Sequence, residues 1–165
     1  MPLVETLAEF AKPWARFYSK SHATQAVVVF THLAGVLGGG GLAIAADRAV
    51  WKARAASDEV RARLLAEVSA THRPVIIGLA MAAVSGVLML AADIETYLPS
   101  PVFWGKMFAL ALLLMNGAWL QSIEQKAQHA PATFSSAWPR LARASRFSYV
   151  LWFAVVLGGV LLLNA

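Results

Sequence analysis

Residues 23–46 read ATQAVVVFTHLAGVLGGGGLAIAA, with no charged residue between Ala23 and Ala46. Asp47 and Arg48 follow at once. A helix rises about 1.5 Å per residue, so about 20 apolar residues cross the hydrocarbon core of a bilayer. This stretch is long enough and is predicted to be a transmembrane helix. Within it, Ala43-Ile44-Ala45 has the small-residue pattern of a signal-peptide cleavage site. It lies deeper than the ~15–30 residues of an ordinary secretory signal, and basic residues follow it, so the segment is expected to stay in place as a span.

Working outward, three more segments have the same character. They run over about 74–98, 102–122 and 147–163, the last being short and preceded by Arg146. The whole chain fits this reading: 59% of its 165 residues are hydrophobic and 14% are charged, against roughly 25% charged in soluble domains. The sequence therefore predicts an all-α protein, a four-helix transmembrane bundle in one integral membrane domain over 1–165. The net charge is +5. Its basic residues flank the apolar segments, which is the pattern of membrane topology and not of a nucleic-acid-binding patch. There is no cysteine, which excludes disulfides, thiolate metal sites, iron–sulfur ligation and covalent haem attachment.

Loop charge sets the expected orientation. Arg48, Lys52, Arg54, Arg61, Arg63 and Arg73 lie between the first two spans, and Lys126, Arg140, Arg143 and Arg146 between the last two. The short connection around Pro99-Ser100-Pro101 has Asp93 and Glu95 beside it. By the positive-inside rule the two basic loops are cytoplasmic. The expectation is a multi-pass protein of a cell inner membrane, with both termini on the periplasmic side.

Before the first span, Val4, Leu7, Phe10, Trp14, Phe17 and Tyr18 recur at helical spacing among charges. About 3–20 is thus expected to be an amphipathic helix lying at the outer interface. Tyr97 and Trp104 fall at the outer boundary, and Trp51, Trp138 and Tyr149 at the inner one, as aromatic belts do. Val60, Leu64, Leu65 and Val68 predict a helical extension over 58–68, whereas 121–146, with Pro131 and Pro139, is expected to be irregular in part.

If the outer turn is centred near Leu98, depths in spans two and three pair around it. Met89 then faces Met107, and Met81 faces Met115. His32, Met89, Asp93, Lys106 and Met107 fall into one outer layer. Polar side chains at such depth are costly and face the bundle interior. His32 is the first candidate ligand, for a metal or a haem iron. An ordinary interhelical hydrogen bond, to Thr31 or a neighbouring carbonyl, explains it as well. Methionines spaced in this way are more often gap-filling core than a metal box. Lys106 has two plain alternatives, pairing with Asp93 or reaching to the surface. Asn116, deep in span three, is expected to hydrogen-bond between helices.

Gly35 and Gly38 to Gly41 in span one, Gly78 and Gly86 in span two, and Gly158 and Gly159 in span four provide close packing, or room for a flat macrocycle beside His32. His72 sits at the inner start of span two, too far along the axis to share a metal with His32. His22 and His129 lie near the two surfaces. No nucleophile motif, phosphate loop or dinucleotide fingerprint is visible.

The stretch from His32 to Arg48, together with Gly78, Gly86, Ala91-Ala92-Asp93, Phe103, Lys106 and Asn116, resembles an uncharacterised family of bacterial four-helix integral membrane proteins. A first-span His with a third-span Lys also resembles, more distantly, the copper-resistance CopD proteins and the membrane-bound haem-containing protoporphyrinogen oxidases. That resemblance implies His32 as an axial haem or metal ligand, with Lys106 beside it. Two other functional readings stand beside a redox or metal-handling protein that binds b-type haem or copper, with Met89, Met107 or Lys106 as second ligand. One is a cofactor-free membrane subunit or scaffold that packs on a partner protein or a second copy. The other is a small-solute transporter. The lipid bilayer is the expected surrounding in each case, and nucleic acid is not expected.

Overall fold

A computed structural model of the chain describes residues 2–129 and 134–162. All the elements among the described residues are helical. Helix α1 spans Pro2–Lys20, with Glu5 in its first turn and Lys20 in its last, each charge at the end where the helix dipole favours it. Only Ser21 separates it from α2, His22–Gly35. The Ser21 hydroxyl accepts from Thr24 N at 3.2 Å, and Gln25 Nε2 reaches back to the Tyr18 carbonyl at 2.9 Å, which fixes the corner. From α2 the chain passes without a break through one π-helical stretch, Val36–Gly40, into α3, Gly41–Lys52. A short 3₁₀ turn over Ala53–Ala55 ends this rod.

Helix α4 runs over Asp58–Ala92, 35 residues, or about 50 Å at the helical rise. That is more than a bilayer core needs, so α4 carries its charged first turns, with Glu59, Arg61 and Arg63, beyond the apolar region. It stops at Asp93, whose backbone leaves the helical region and whose side chain accepts from Thr96 N, capping the single-turn α5, Ile94–Tyr97. Helix α6, Pro101–His129, starts on a proline, where a missing N–H costs nothing. Helix α7 covers Phe134–Leu162.

Among the described residues, four helices are long and apolar enough to cross a membrane: His22–Ala55, Asp58–Ala92, Pro101–Gln128 and Ser135–Leu162. Their outward faces are apolar, with Phe30, Leu37, Ile77, Val84, Phe108 and Leu157 all exposed. In water this surface would be unstable; against lipid it carries no penalty.

The helices pack unevenly. At the end that holds the α4–α6 corner, called outer below, α2 packs on α4 and α6 on α7; at the opposite end, called inner, α3 joins the two pairs by packing on both α4 and α7, while α4 and α6 touch sparsely. The main core follows this pattern. Val50, Leu65, Val68, Leu120, Ile123, Ala127, Trp138, Leu141 and Ala144 form one buried cluster at the inner end. A smaller one, Leu113, Leu151 and Trp152, lies nearer the middle. The outer half buries little besides Val28, Gly35, Ser85 and Phe103. Helix α1 lies over the outer ends of α4 and α5, held by Trp14 Nε1 donating to the Leu88 carbonyl at 2.8 Å. It leaves Phe10, 87% accessible, and Phe17 exposed.

Three boundaries differ from those the sequence predicts. The segment 121–146 is helical up to His129 and again from Phe134, because Ile123, Ala127, Trp138 and Leu141 form an apolar stripe that buries in the inner core. Pro139 sits in the second turn of α7, and Pro131 and Leu163 lie outside the described residues. Pro74 lies inside α4 and does not begin it. The second span ends at Ala92 and not at Leu98, because Asp93 caps the helix that follows.

Candidate functional site

Two polar layers lie within the apolar helices. The outer one centres on His32. Its Nδ1 lies 2.9 Å from the Ala82 carbonyl and 3.2 Å from Ser85 Oγ, both on α4. A carbonyl only accepts, so Nδ1 carries the proton and Nε2 keeps its lone pair. Ser85 is itself buried and donates to the Met81 carbonyl at 2.6 Å.

Glycine makes this contact geometry possible. A methyl group on Gly78 would sit 2.6 Å from Gly39 Cα, and one on Gly35 would sit 2.5 Å from the Gly78 carbonyl. The α2 and α4 backbones therefore touch below His32. A methyl on Gly86 would lie 3.4 Å from the His32 ring. On the other helix pair, the stem of Lys106 lies against Gly158, and its Nζ would be 3.5 Å from a methyl placed on Gly159. Lys106 is half-buried and within electrostatic range of His32.

The structure thus places His32 at the level of Ala82, Ser85 and Gly86, one turn or more inward of Met89. Met89 and Met107 are both half-buried, on α4 and α6. Asp93 is at the exposed end of α4 and caps α5 rather than pairing with Lys106. Asn116, buried on α6, donates from Nδ2 to the Ala144 carbonyl of α7 at 3.0 Å.

The inner layer was not singled out by the sequence. Glu124, 1% accessible, accepts from His72 Nε2 at 2.7 Å. Asp47 is buried beside it, with the hydroxyls of Ser145 and Ser148 of α7 next to its carboxyl group. One signal would have found Glu124: it sits between Leu120 and Ala127 at helical spacing, on the face of α6 that enters the core.

At the outer corner, Tyr97 is half-buried beside Asp93 and Tyr18. Burial, and then the two neighbouring acidic groups, push its phenol above the ordinary tyrosine value. Among the described residues, no group of three or more His, Asp or Glu side chains is placed to hold a metal ion.

These features define a multi-pass, four-helix membrane protein with two polar layers inside its apolar helices. Comparison with protein-family models, with curated proteins and with solved structures finds no match.

Proposed function

We propose that the outer half of this membrane protein binds a b-type haem, which His32 would hold through Nε2, and that the protein has a redox or metal-handling role. The observation that carries the reading is the Nδ1–Ala82 carbonyl bond. A ligating imidazole characteristically anchors its second nitrogen on a carbonyl, which fixes the ring and its tautomer. His32 is held in this way with Nε2 left to coordinate.

The packing supports a flat ligand. The two outer helix pairs share little buried side-chain volume. Gly86, Gly158 and Gly159 keep the surfaces beside His32 and Lys106 low. Lys106 is the better-placed partner, either as a second ligand or as a cation beside a carboxylate of the macrocycle. Met89 lies further outward along α4. Haem is favoured over bare copper by the donor set. A porphyrin brings four nitrogens and asks the protein for one or two ligands, whereas copper needs the side chains to supply its whole coordination. Bound there, haem would supply one-electron chemistry; the chain's own groups would hold it, orient it and exclude water.

The proposed orientation follows loop charge. The ends of α3, α4, α6 and α7 that carry the basic loops face the cytoplasm of a bacterial-type cell, and the α4–α6 corner faces outward.

The test is the absorption spectrum of the protein purified in mild detergent, with metal analysis. A Soret band that disappears in His32→Ala supports the reading. Absence of a Soret band in the wild-type protein, even after haem is supplied during expression, overturns it.

A further inference from the structure

We infer that Asp47, Glu124 and His72 form a proton-binding site inside the inner half of the bundle. The three side chains come from three helices, α3, α6 and α4. Residues close to it along the same helices, Val50, Val68, Leu120 and Ile123, belong to the buried inner cluster. The inference rests on residues that the haem reading does not use and stands or falls separately from it.

Geometry carries the argument. Glu124 Oε2 takes the hydrogen bond from His72, but Oε1 has no partner. Asp47 Oδ2 also has none, and neither oxygen is exposed. A buried ionised carboxylate with an unpartnered oxygen is costly, and a second one nearby adds repulsion. His72, when protonated, offsets one negative charge. Charged side chains on the same helices turn away: Arg48, Arg73, Lys126 and Arg143 are exposed, Arg61 lies over the Trp138 ring and Arg146 over the Trp51 ring. From α7 the hydroxyls of Ser145 and Ser148 face Asp47. The second carboxyl is therefore left without a cation, and a proton is the ligand that fits.

Protonation also repairs the hydrogen bonding. A proton on Asp47 Oδ2 turns an orphaned acceptor into a donor. The Ser145 hydroxyl oxygen, buried and without a bond of good geometry, is the neighbouring group to receive it. His72 is the way in: its side chain is 27% accessible, against 2% for Glu124. The proton passes from solvent to the imidazole, from Nε2 to Glu124 and on to Asp47, where Ser145 receives its hydrogen bond. No other bond forms or breaks.

The experiment is infrared difference spectroscopy on the full chain in lipid bilayers, across steps of pH and after transfer to deuterium oxide. The wild-type protein is expected to show the C=O band of a buried carboxylic acid at neutral pH. Asp47→Asn, close to isosteric, removes that band. Ser145→Ala, which tests the same assignment if Asp47→Asn does not fold, shifts it by deleting the acceptor. His72→Gln slows its deuterium shift. Absence of the band in the wild-type protein, an unchanged band in Asp47→Asn, or no shift in Ser145→Ala overturns the site. Deuteration as fast in His72→Gln as in wild type overturns the route.

Discussion

His72 Nε2 on α4 and Glu124 Oε2 on α6 lie 2.7 Å apart, with Glu124 wholly inside the inner core. This is one of the few direct bonds between two helices that otherwise touch sparsely. Removing one partner of a buried pair is worse than removing both, because the survivor keeps its desolvation cost. We expect His72→Ala to destabilise the folded bundle by about 3–5 kcal/mol. Replacing both residues with apolar ones should cost much less. Unfolding titrations in mixed micelles would check this, and equal losses in the two proteins would refute it.

The glycines of the first two spans should divide into two classes. Gly78→Ala places a methyl group 2.6 Å from Gly39 Cα, and separating the two backbones should cost about 1–3 kcal/mol. Gly38 and Gly41 have open space where a Cβ would go. Their alanine variants should be neutral or more stable by up to ~1 kcal/mol, since alanine is the better helix former. Thermal melts of the three single variants would show whether these glycines differ in this way.

The chain has no cysteine, so single introduced cysteines report orientation without background. Ser100→Cys, at the α4–α6 corner, should react with a membrane-impermeant maleimide on intact spheroplasts. Ser57→Cys, at the start of α4, should react only after the membrane is opened. The reverse pattern would invert the orientation proposed above.

Tyr97 should titrate above an ordinary tyrosine, because burial first, and the Asp93 carboxylate next, disfavour the phenolate. Asp93→Asn should bring the titration part of the way back, since burial remains. The raised value means that the neutral phenol belongs to the folded state. Its contribution to stability is complete below the ordinary tyrosine range and is lost as pH rises through the shifted value. Phenolate absorbance, with Tyr97→Phe as reference, gives the titration directly.

Much of the fold was legible in the sequence. Four apolar runs near the length of a membrane span are a strong signal, and the first turns of α4 show in Val60, Leu64, Leu65 and Val68. The inner parts of α6 and α7 were harder. Gln121 to Arg146 holds two prolines and several charges, so its core stripe of Ile123, Ala127, Trp138 and Leu141 is diluted, and only the packing of α3 against α7 shows that it is buried. The candidate site was legible at His32, where a lone polar group interrupts an apolar run. Its depth differs from the expected one by about one turn, because Asp93 ends α4 before Leu98. Asp47 and Glu124 were hidden for a different reason. Both stand at the margins of basic loops, where a carboxylate ordinarily faces water, and nothing local separates a solvated acid from one that α7 will cover.

The π-helical stretch Val36–Gly40 has a consequence for the rod that carries both polar layers. A π turn widens the helix and offsets the faces on its two sides. His32, before it, addresses α4, while Asp47, after it, addresses the serines of α7. The joint itself is pinned, because Gly39 abuts the α4 backbone at Gly78 and Gly40 abuts the Trp152 ring of α7. The rod therefore works as a fixed crank: one continuous helix delivers a polar side chain to each of two different neighbours, at an offset that the π turn sets.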